Sequence, residues 1–240
     1  LHFYFMYNDC CTTRILLIAE LILVTLERAL AIVICFAWMR MEGLIKKYQQ
    51  KFKEARKEMG KWDDLQLRFL SEFRAASAIF EKLELIQNVK NYGSLNSVNG
   101  MPDALMEKQF DSLQVITMSM HKTLNEFQTI TARMKKLQVE GLQLAKGSIS
   151  SSTSAEKMMQ QRIGVKPSLA ACLDGLMQIY DMHHSEYRLK ISIVSALEKM
   201  FLKWSFNDLG ALERLLVDQP NITTEEIEAI YGIIFADEAG

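Results

Sequence analysis

The sequence is poor in the features that mark catalysis. It has no glycine-rich phosphate loop, no Gly-x-Ser-x-Gly elbow and no Cys-x-x-Cys pair. Those absences remove the sequence grounds for a phosphate-loop nucleotide enzyme, an α/β-type serine hydrolase or a dithiol protein. It has no charge excess either. The net charge is −1, which argues against strong non-specific nucleic-acid binding, since that needs a basic surplus. No segment alternates apolar and polar residues for long, so no sheet is expected. Of the four cysteines, only Cys172 lies beyond the first forty residues. The chain from Met41 onward therefore needs no disulfides, which fits a reducing compartment. At 240 residues it suits one ordinary domain or two small ones.

The first forty residues differ from the rest. Ile15 to Trp38 is almost wholly apolar and about long enough to span a bilayer. Glu20, Glu27 and Arg28 interrupt it, each costly near a membrane centre. One reading is a signal-anchor, with Arg40, Lys46 and Lys47 holding the following domain in the cytoplasm. A cleaved signal peptide is excluded, because no small-residue cleavage site follows Trp38. The break in composition favours a third reading, in which residues 1–40 are a non-native upstream extension and the folded protein starts at Met41.

From Gly43 to Asn88 the spacing predicts one long helix. Tyr48, Phe52, Ala55, Met59, Trp62, Phe69, Phe73, Ala76, Phe80 and Leu83 recur at steps of three and four, passing through Gln66. Such a stripe needs another helix to bury it. Asn91 to Asp103 is rich in turn residues and reads as a loop. A second helix is expected from Ala104 to about Lys146. Its stripe is Met106, Phe110, Leu113, Met120, Leu124, Phe127 and Met134, with Thr117 and Thr131 in between. The two stripes can pair as an antiparallel hairpin. Gly147 to Pro167, with its GSISSSTS run, is a flexible linker. Ser168 caps a third helix to about Lys203, with Leu169, Leu173, Leu176, Tyr180, Tyr187, Ile191 and Val194 on one face. A short helix from near Asn207 carries Leu209, Leu212, Leu215 and Leu216 as far as Pro220. Another begins at Thr223, where Thr223 and Glu226 form a capping box and Ile222 and Ile227 a staple. The fold class is therefore all-α: a long antiparallel hairpin or bundle (41–146), a linker (147–167) and a smaller C-terminal helical region (168–240).

Candidate chemistry is thin. His183 and His184, near Asp181 and Glu186, are adjacent on a helix and so point about a quarter-turn apart, whereas a helical metal pair sits four apart. They read as His183 packed beside Tyr180 and Tyr187, with His184 facing water. Cys172 reads as a buried structural thiol. Lys46 to Lys61 holds seven basic residues against Glu54 and Glu58 and reads as a solvated helix face. Asn221-Ile-Thr matches a glycosylation acceptor, but helix capping explains it better. No catalytic, cofactor-binding or metal-binding residue is expected.

The run SLAACLDGLMQIYDMHHSEYRLKISIVSAL (168–197), followed by FNDLGALERLL (206–216), resembles the AIRIM-like family of ribosome maturation factors. Trp62, the Gln87-Asn88 pair and the Pro102-Asp103 start of the second helix fit as well. Tyr187-Arg188 and Phe206-Asn207-Asp208-Leu209 occupy the family's tyrosine-basic stretch and aromatic-Asp-Leu turn. Phe206-Asn207 stands where animal members tend to carry Trp-Gly. The resemblance covers 41 to 236. It implies a non-enzymatic adaptor of AAA+ ATPases of the valosin-containing-protein-like type. A second small helical subunit would accompany it, and the pre-ribosomal large subunit would be reached only indirectly. It implies a cytoplasmic and nuclear location, no direct nucleic acid, and a membrane only if residues 15–38 form an anchor. The partner-binding residues expected are Trp62, Phe69, Phe73, Phe80, Tyr180, Tyr187, Arg188, Phe206, Asp208 and Leu209. The companion subunit is expected along 48–83 and 106–134, with the ATPase on the helices after Pro167. The same stripes would also serve a coiled-coil tether or scaffold.

Overall fold

The computed structural model describes residues 2–88, 90–93, 100–148, 159–162, 164–203 and 208–238. The described elements are helices: α1 (His2–Gln87), α2 (Met101–Ser148), α3 (Leu169–Lys203), α4 (Leu209–Asp218) and α5 (Thr224–Ile234). The Ser-rich residues 149–158 lie outside the described part. The chain divides into a unit of Leu1–Lys47 and a unit of Tyr48–Gly240.

In the first unit α1 continues straight through the composition break at Met41. No proline lies between His2 and Gln87, and straight-chain and alanine residues around Arg40 sustain the helix. Leu26, Leu30, Phe36 and Trp38 are all exposed. Among the described residues, no helix is long and apolar enough to cross a membrane.

In the second unit the stripe on α1 becomes the axis of a helical bundle. Contacts fix each neighbour's direction. Tyr48 Oη donates to Gly141 O at 2.6 Å, Arg133 pairs with Glu58 at 3.2 Å, and Arg68 with Glu126 at 2.7 Å. Numbers rise on α1 as they fall on α2, so these two form the expected antiparallel hairpin. α3 returns antiparallel to α2, with His121 against Glu198 at 2.8 Å near one end. It therefore runs parallel to α1, with Trp62 on His183 and Phe80 on Phe201. α4 and α5 then run back along α1. Gln66 Nε2 donates to Leu216 O at 2.5 Å, Tyr231 Oη to Phe52 O at 2.9 Å, and Gln49 Nε2 to Ile234 O at 3.0 Å.

Packing follows from this arrangement. Tyr48, Phe52, Trp62, Phe69, Phe73, Ala76, Phe80 and Leu83 are all buried on α1, as are Met120, Leu124, Phe127 and Met134 on α2. Each such large side chain contributes about 1.5–3 kcal/mol of transfer free energy. Two glycines let the helices close in. A Cβ at Gly175 would lie 2.9 Å from Ile230 and 3.1 Å from Phe52, and one at Gly141 would lie 3.0 Å from Leu176.

The helix ends match expectation unevenly. Ser168 Oγ accepts from Ala171 N–H at 3.1 Å, so it caps α3. α5 starts where expected, after Thr223, but Thr223 makes no side-chain capping bond. Pro220 stops α4. Gln219 before it takes a left-handed conformation, φ 43°, and its side-chain oxygen accepts the Trp62 indole N–H at 2.9 Å. The expected loop is shorter than Asn91–Asp103, because α2 already begins at Met101, with Pro102 tolerated in its first turn.

Candidate interaction surface

The inner and outer faces of α3 decide where binding chemistry can lie. Its buried line is Leu169, Cys172, Leu176, Ile179, His183, Glu186, Lys190, Ile193 and Leu197, a heptad-type spacing. The sequence reading assigned Tyr180, Tyr187 and Ile191 to the inward face. The structure turns them outward. The reason is that Glu186 and Lys190, which look like surface residues, pair with each other inside, and His183 beside them bonds the Ile179 carbonyl.

That interior cluster is closed. Lys190 Nζ lies 3.0 Å from Glu186 Oε1, and both side chains are fully buried. The ammonium also sits 5.6 Å from the Trp62 ring and 5.4 Å from the Phe127 ring, within cation–π range. Glu186 Oε2 accepts from Asn221 N and Nδ2 at 3.3 and 3.1 Å, which ties the α4–α5 corner to α3. His183 Nδ1 lies 2.8 Å from Ile179 O, its own helix carbonyl, so Nδ1 carries the proton. Its ring packs edge-on to Trp62 with centroids 5.0 Å apart, rather than against Tyr180 or Tyr187. Burial lowers the pKa values of His183 and Lys190 below their ordinary values. Cys172 is buried, and burial pushes its thiol up to about 12, so it stays protonated at neutral pH.

The outer face of α3 presents Met177, Tyr180, His184, Tyr187, Arg188 and Ile191. Met177 and Ile191 are 41% and 39% exposed, Arg188 is exposed, and the rest are half-buried. His184 does not simply face water but stacks on Tyr180 at 5.4 Å. Partial burial pushes the Tyr187 hydroxyl up. Rigid aromatic and Met side chains beside an arginine, fixed on a helix, are what interface cores favour.

The other expected partner-binding residues fall elsewhere. Trp62, Phe69, Phe73 and Phe80 are at most 1% exposed, and their cover comes from the chain's own helices. Asp208 and Leu209 open α4, where Asp208 O accepts from Ala211 and Leu212 N–H and no side-chain cap forms. Glu213, one turn on, meets Arg74 at 2.6 Å. Arg74 lies about 18 Å along α1 from Trp62 at 1.5 Å per residue, so Asp208 and Leu209 stand well apart from Tyr187. Phe206 lies outside the described residues. Sequence reasoning missed Met177, the stacking of His184 on Tyr180 and the buried Glu186–Lys190 pair. The heptad continuing from Leu169, Cys172 and Leu176 was the signal that could have placed all three.

With this geometry in hand, the comparison with known families is informative. Residues 42–239 match the model of the CA109-like family, described as ribosome biogenesis protein C1orf109-like. The chain belongs to this family. The match takes in the whole of α2 to α5 and α1 from Glu42 on. Ribosome biogenesis is thus the process in which this family's members are placed. No curated protein matches the chain.

Proposed function

We propose that the chain is a non-enzymatic helical adaptor of a valosin-containing-protein-like AAA+ ATPase. It would act in maturation of the large ribosomal subunit in the cytoplasm, with a nuclear pool. The ATPase supplies the work and this chain supplies the grip, alongside a second small helical subunit. The observation that carries the reading is the outer face of α3. There a tyrosine-rich, arginine-bearing stripe stays available to a partner, while on the buried face Lys190 is paired with Glu186 and His183 is held by the Ile179 carbonyl. Membership of a ribosome biogenesis family supports the process. The burial of the α1 stripe moves the proposed contacts from the hairpin interior to outward faces. A tether built on open heptads is less well supported, because the bundle consumes its own stripes.

The test is reconstitution of the full chain with a valosin-containing-protein-like AAA+ ATPase, comparing wild type with a Tyr180→Ala, Tyr187→Ala, Arg188→Glu variant. Binding of the wild type and loss of binding by an equally helical variant are expected. A wild type that ignores the ATPase, or a variant that binds as well, sinks the proposal.

A further inference from the structure

The outer surface of the bundle differs from seam to seam. Between α1 and α2, ion pairs recur along the length: Lys51 with Glu140, Arg133 with Glu58 and Arg68 with Glu126. Among the described residues, the seam of α2 and α3 is bridged by a single side-chain hydrogen bond. It stands at one end, where His121 meets Glu198 at 2.8 Å beside a cavity of about 560 Å³ lined in part by Phe80, Phe110 and Phe201. Near the other end the two helices close in at Gly141, where a Cβ would lie 3.0 Å from Leu176. The His121–Glu198 contact fixes which side chains border the seam, because a helix repeats its face after seven, eleven or eighteen residues. Counting forward from His121, Lys135 and Leu142 come at multiples of seven and Val139 after eighteen. Counting back from Glu198, Ile191, His184 and Met177 come at sevens, Tyr187 after eleven and Tyr180 after eighteen.

That border is apolar and basic. Val139, Leu142, Met177 and Ile191 are 43%, 39%, 41% and 39% exposed, and the half-buried rings of Tyr180 and Tyr187 lie between the last two. Lys135 and Lys146 on the α2 wall, Lys122 farther round it and Arg188 on α3 are all exposed, and none meets a carboxylate among the described residues. On the outward line of α3 stand two exposed acids, Asp174 and Asp181, so lysine and arginine outnumber the carboxylates not already paired. We propose that this seam receives an acidic amphipathic helix of a partner protein. Its apolar face would lie on Val139, Met177, Tyr187 and Ile191, and its carboxylates on the α2 flank against Lys135 and Lys146. The exposed aliphatic side chains call for an apolar helix face and give a nucleic-acid backbone nothing to bind, which favours a peptide over RNA. The surplus of cations selects acid over base. Met177 and Ile191 are about 21 Å apart by helical rise, room for about four turns of a docked helix. The inference rests on the adaptor reading and deepens it, since it states the chemistry of the segment that the Tyr180–Tyr187 face would meet.

The experiment uses the full chain and a labelled synthetic helical peptide with leucines at i, i+4, i+7 and i+11 and glutamates along one flank. A control peptide carries arginine in place of each glutamate, and a labelled single-stranded oligouridine probes for phosphate binding. Fluorescence anisotropy should show the glutamate peptide binding at least tenfold more tightly than either. Lys135→Glu with Lys146→Glu, both at exposed positions, should erase that preference. Ile191→Asp should weaken binding at least tenfold, and Met177→Asp serves in its place if the first loses helix. Lys57→Glu, on the α1–α2 side, should leave binding unchanged. Circular dichroism checks that each variant keeps its helix content. Equal binding of the two peptides, no binding, oligouridine binding as tightly, or indifference to the lysine reversals overturns the inference. So does a wild-type dimer that the lysine reversals turn into a monomer, since the occupant is then a second copy. The peptide assay needs no ATPase. If the ATPase binds as expected above while the two peptides bind alike, the adaptor reading stands and this inference falls. If the glutamate peptide alone binds and the ATPase does not, the seam's chemistry stands and the adaptor reading falls.

Discussion

The bundle has two kinds of interior. Around Trp62 it holds a histidine, a carboxylate and an ammonium, all buried, yet it is filled and closed. Around Phe201 the buried walls are apolar, yet they leave a cavity open to solvent with its charges only at the rim. Polarity inside is therefore no guide to a binding site here. The polar groups at Trp62 all find partners within the chain, Lys190 on Glu186, Glu186 on Asn221 and His183 on the Ile179 carbonyl. The apolar groups at Phe201 line a cavity instead.

The largest effect that would test this contrast is Glu186→Ala. It leaves the Lys190 ammonium buried without its counter-ion and should cost about 3–5 kcal/mol in urea unfolding. The paired replacement Glu186→Leu with Lys190→Met should recover most of that. Asp111→Ala, at the exposed rim, should stay within about 0.5 kcal/mol. Equal losses for Glu186 and Asp111 would erase the distinction. Gly175→Ala comes next. The added methyl meets Ile230 and Phe52 closer than contact distance and should cost about 1–3 kcal/mol. Thr117→Leu, in the cavity wall, should be tolerated within about 0.5 kcal/mol.

A smaller effect concerns pH. Burial lowers the His183 pKa in the fold below its ordinary value of 6.5, so below that value the unfolded chain takes up the proton first. Stability should then fall as pH drops through 6.5 toward the folded-state value. His183→Gln should show a shallower decline than wild type between pH 7.5 and 5.5 in the same denaturation series. Identical slopes would mean that His183 is accessible to protons in the fold. The smallest effect belongs to the solvent-facing pair Arg74–Glu213. Glu213→Ala should change stability by less than about 1 kcal/mol, and by less still in high salt.

Much of this was legible in the residues. The alternating steps from Tyr48 to Leu83 required a partner helix, the turn-rich run after Asn88 supplied the reversal, and Ser168 and Pro220 marked real helix ends. What was not legible depended on distant parts of the chain meeting. Glu186 and Lys190 stand four apart and read as an ordinary surface pair. Only Trp62, Phe127 and Asn221, all remote in sequence, make that position interior. The same miss rotated the reading of α3, sending Tyr180 and Tyr187 inward. The cavity at Phe201 is lined by residues of three helix segments remote in sequence, which no periodicity records. The Thr223 capping box had the right letters, but its side-chain bond is absent.

The bond from Gln49 to the carbonyl of Ile234 spans almost the whole second unit, and it has a consequence for biosynthesis. α1 is made first, but α5, which covers its Phe52 end, is made last. A chain leaving the ribosome at about 5–20 residues per second holds that end of α1 uncovered by α5 for roughly 10 to 40 seconds. During that interval the hairpin of α1 and α2 can form from contacts nearer in sequence, while Phe52 waits. A chaperone or a binding partner that meets the nascent protein would find that gap first. Release of the last residues then ends the opportunity.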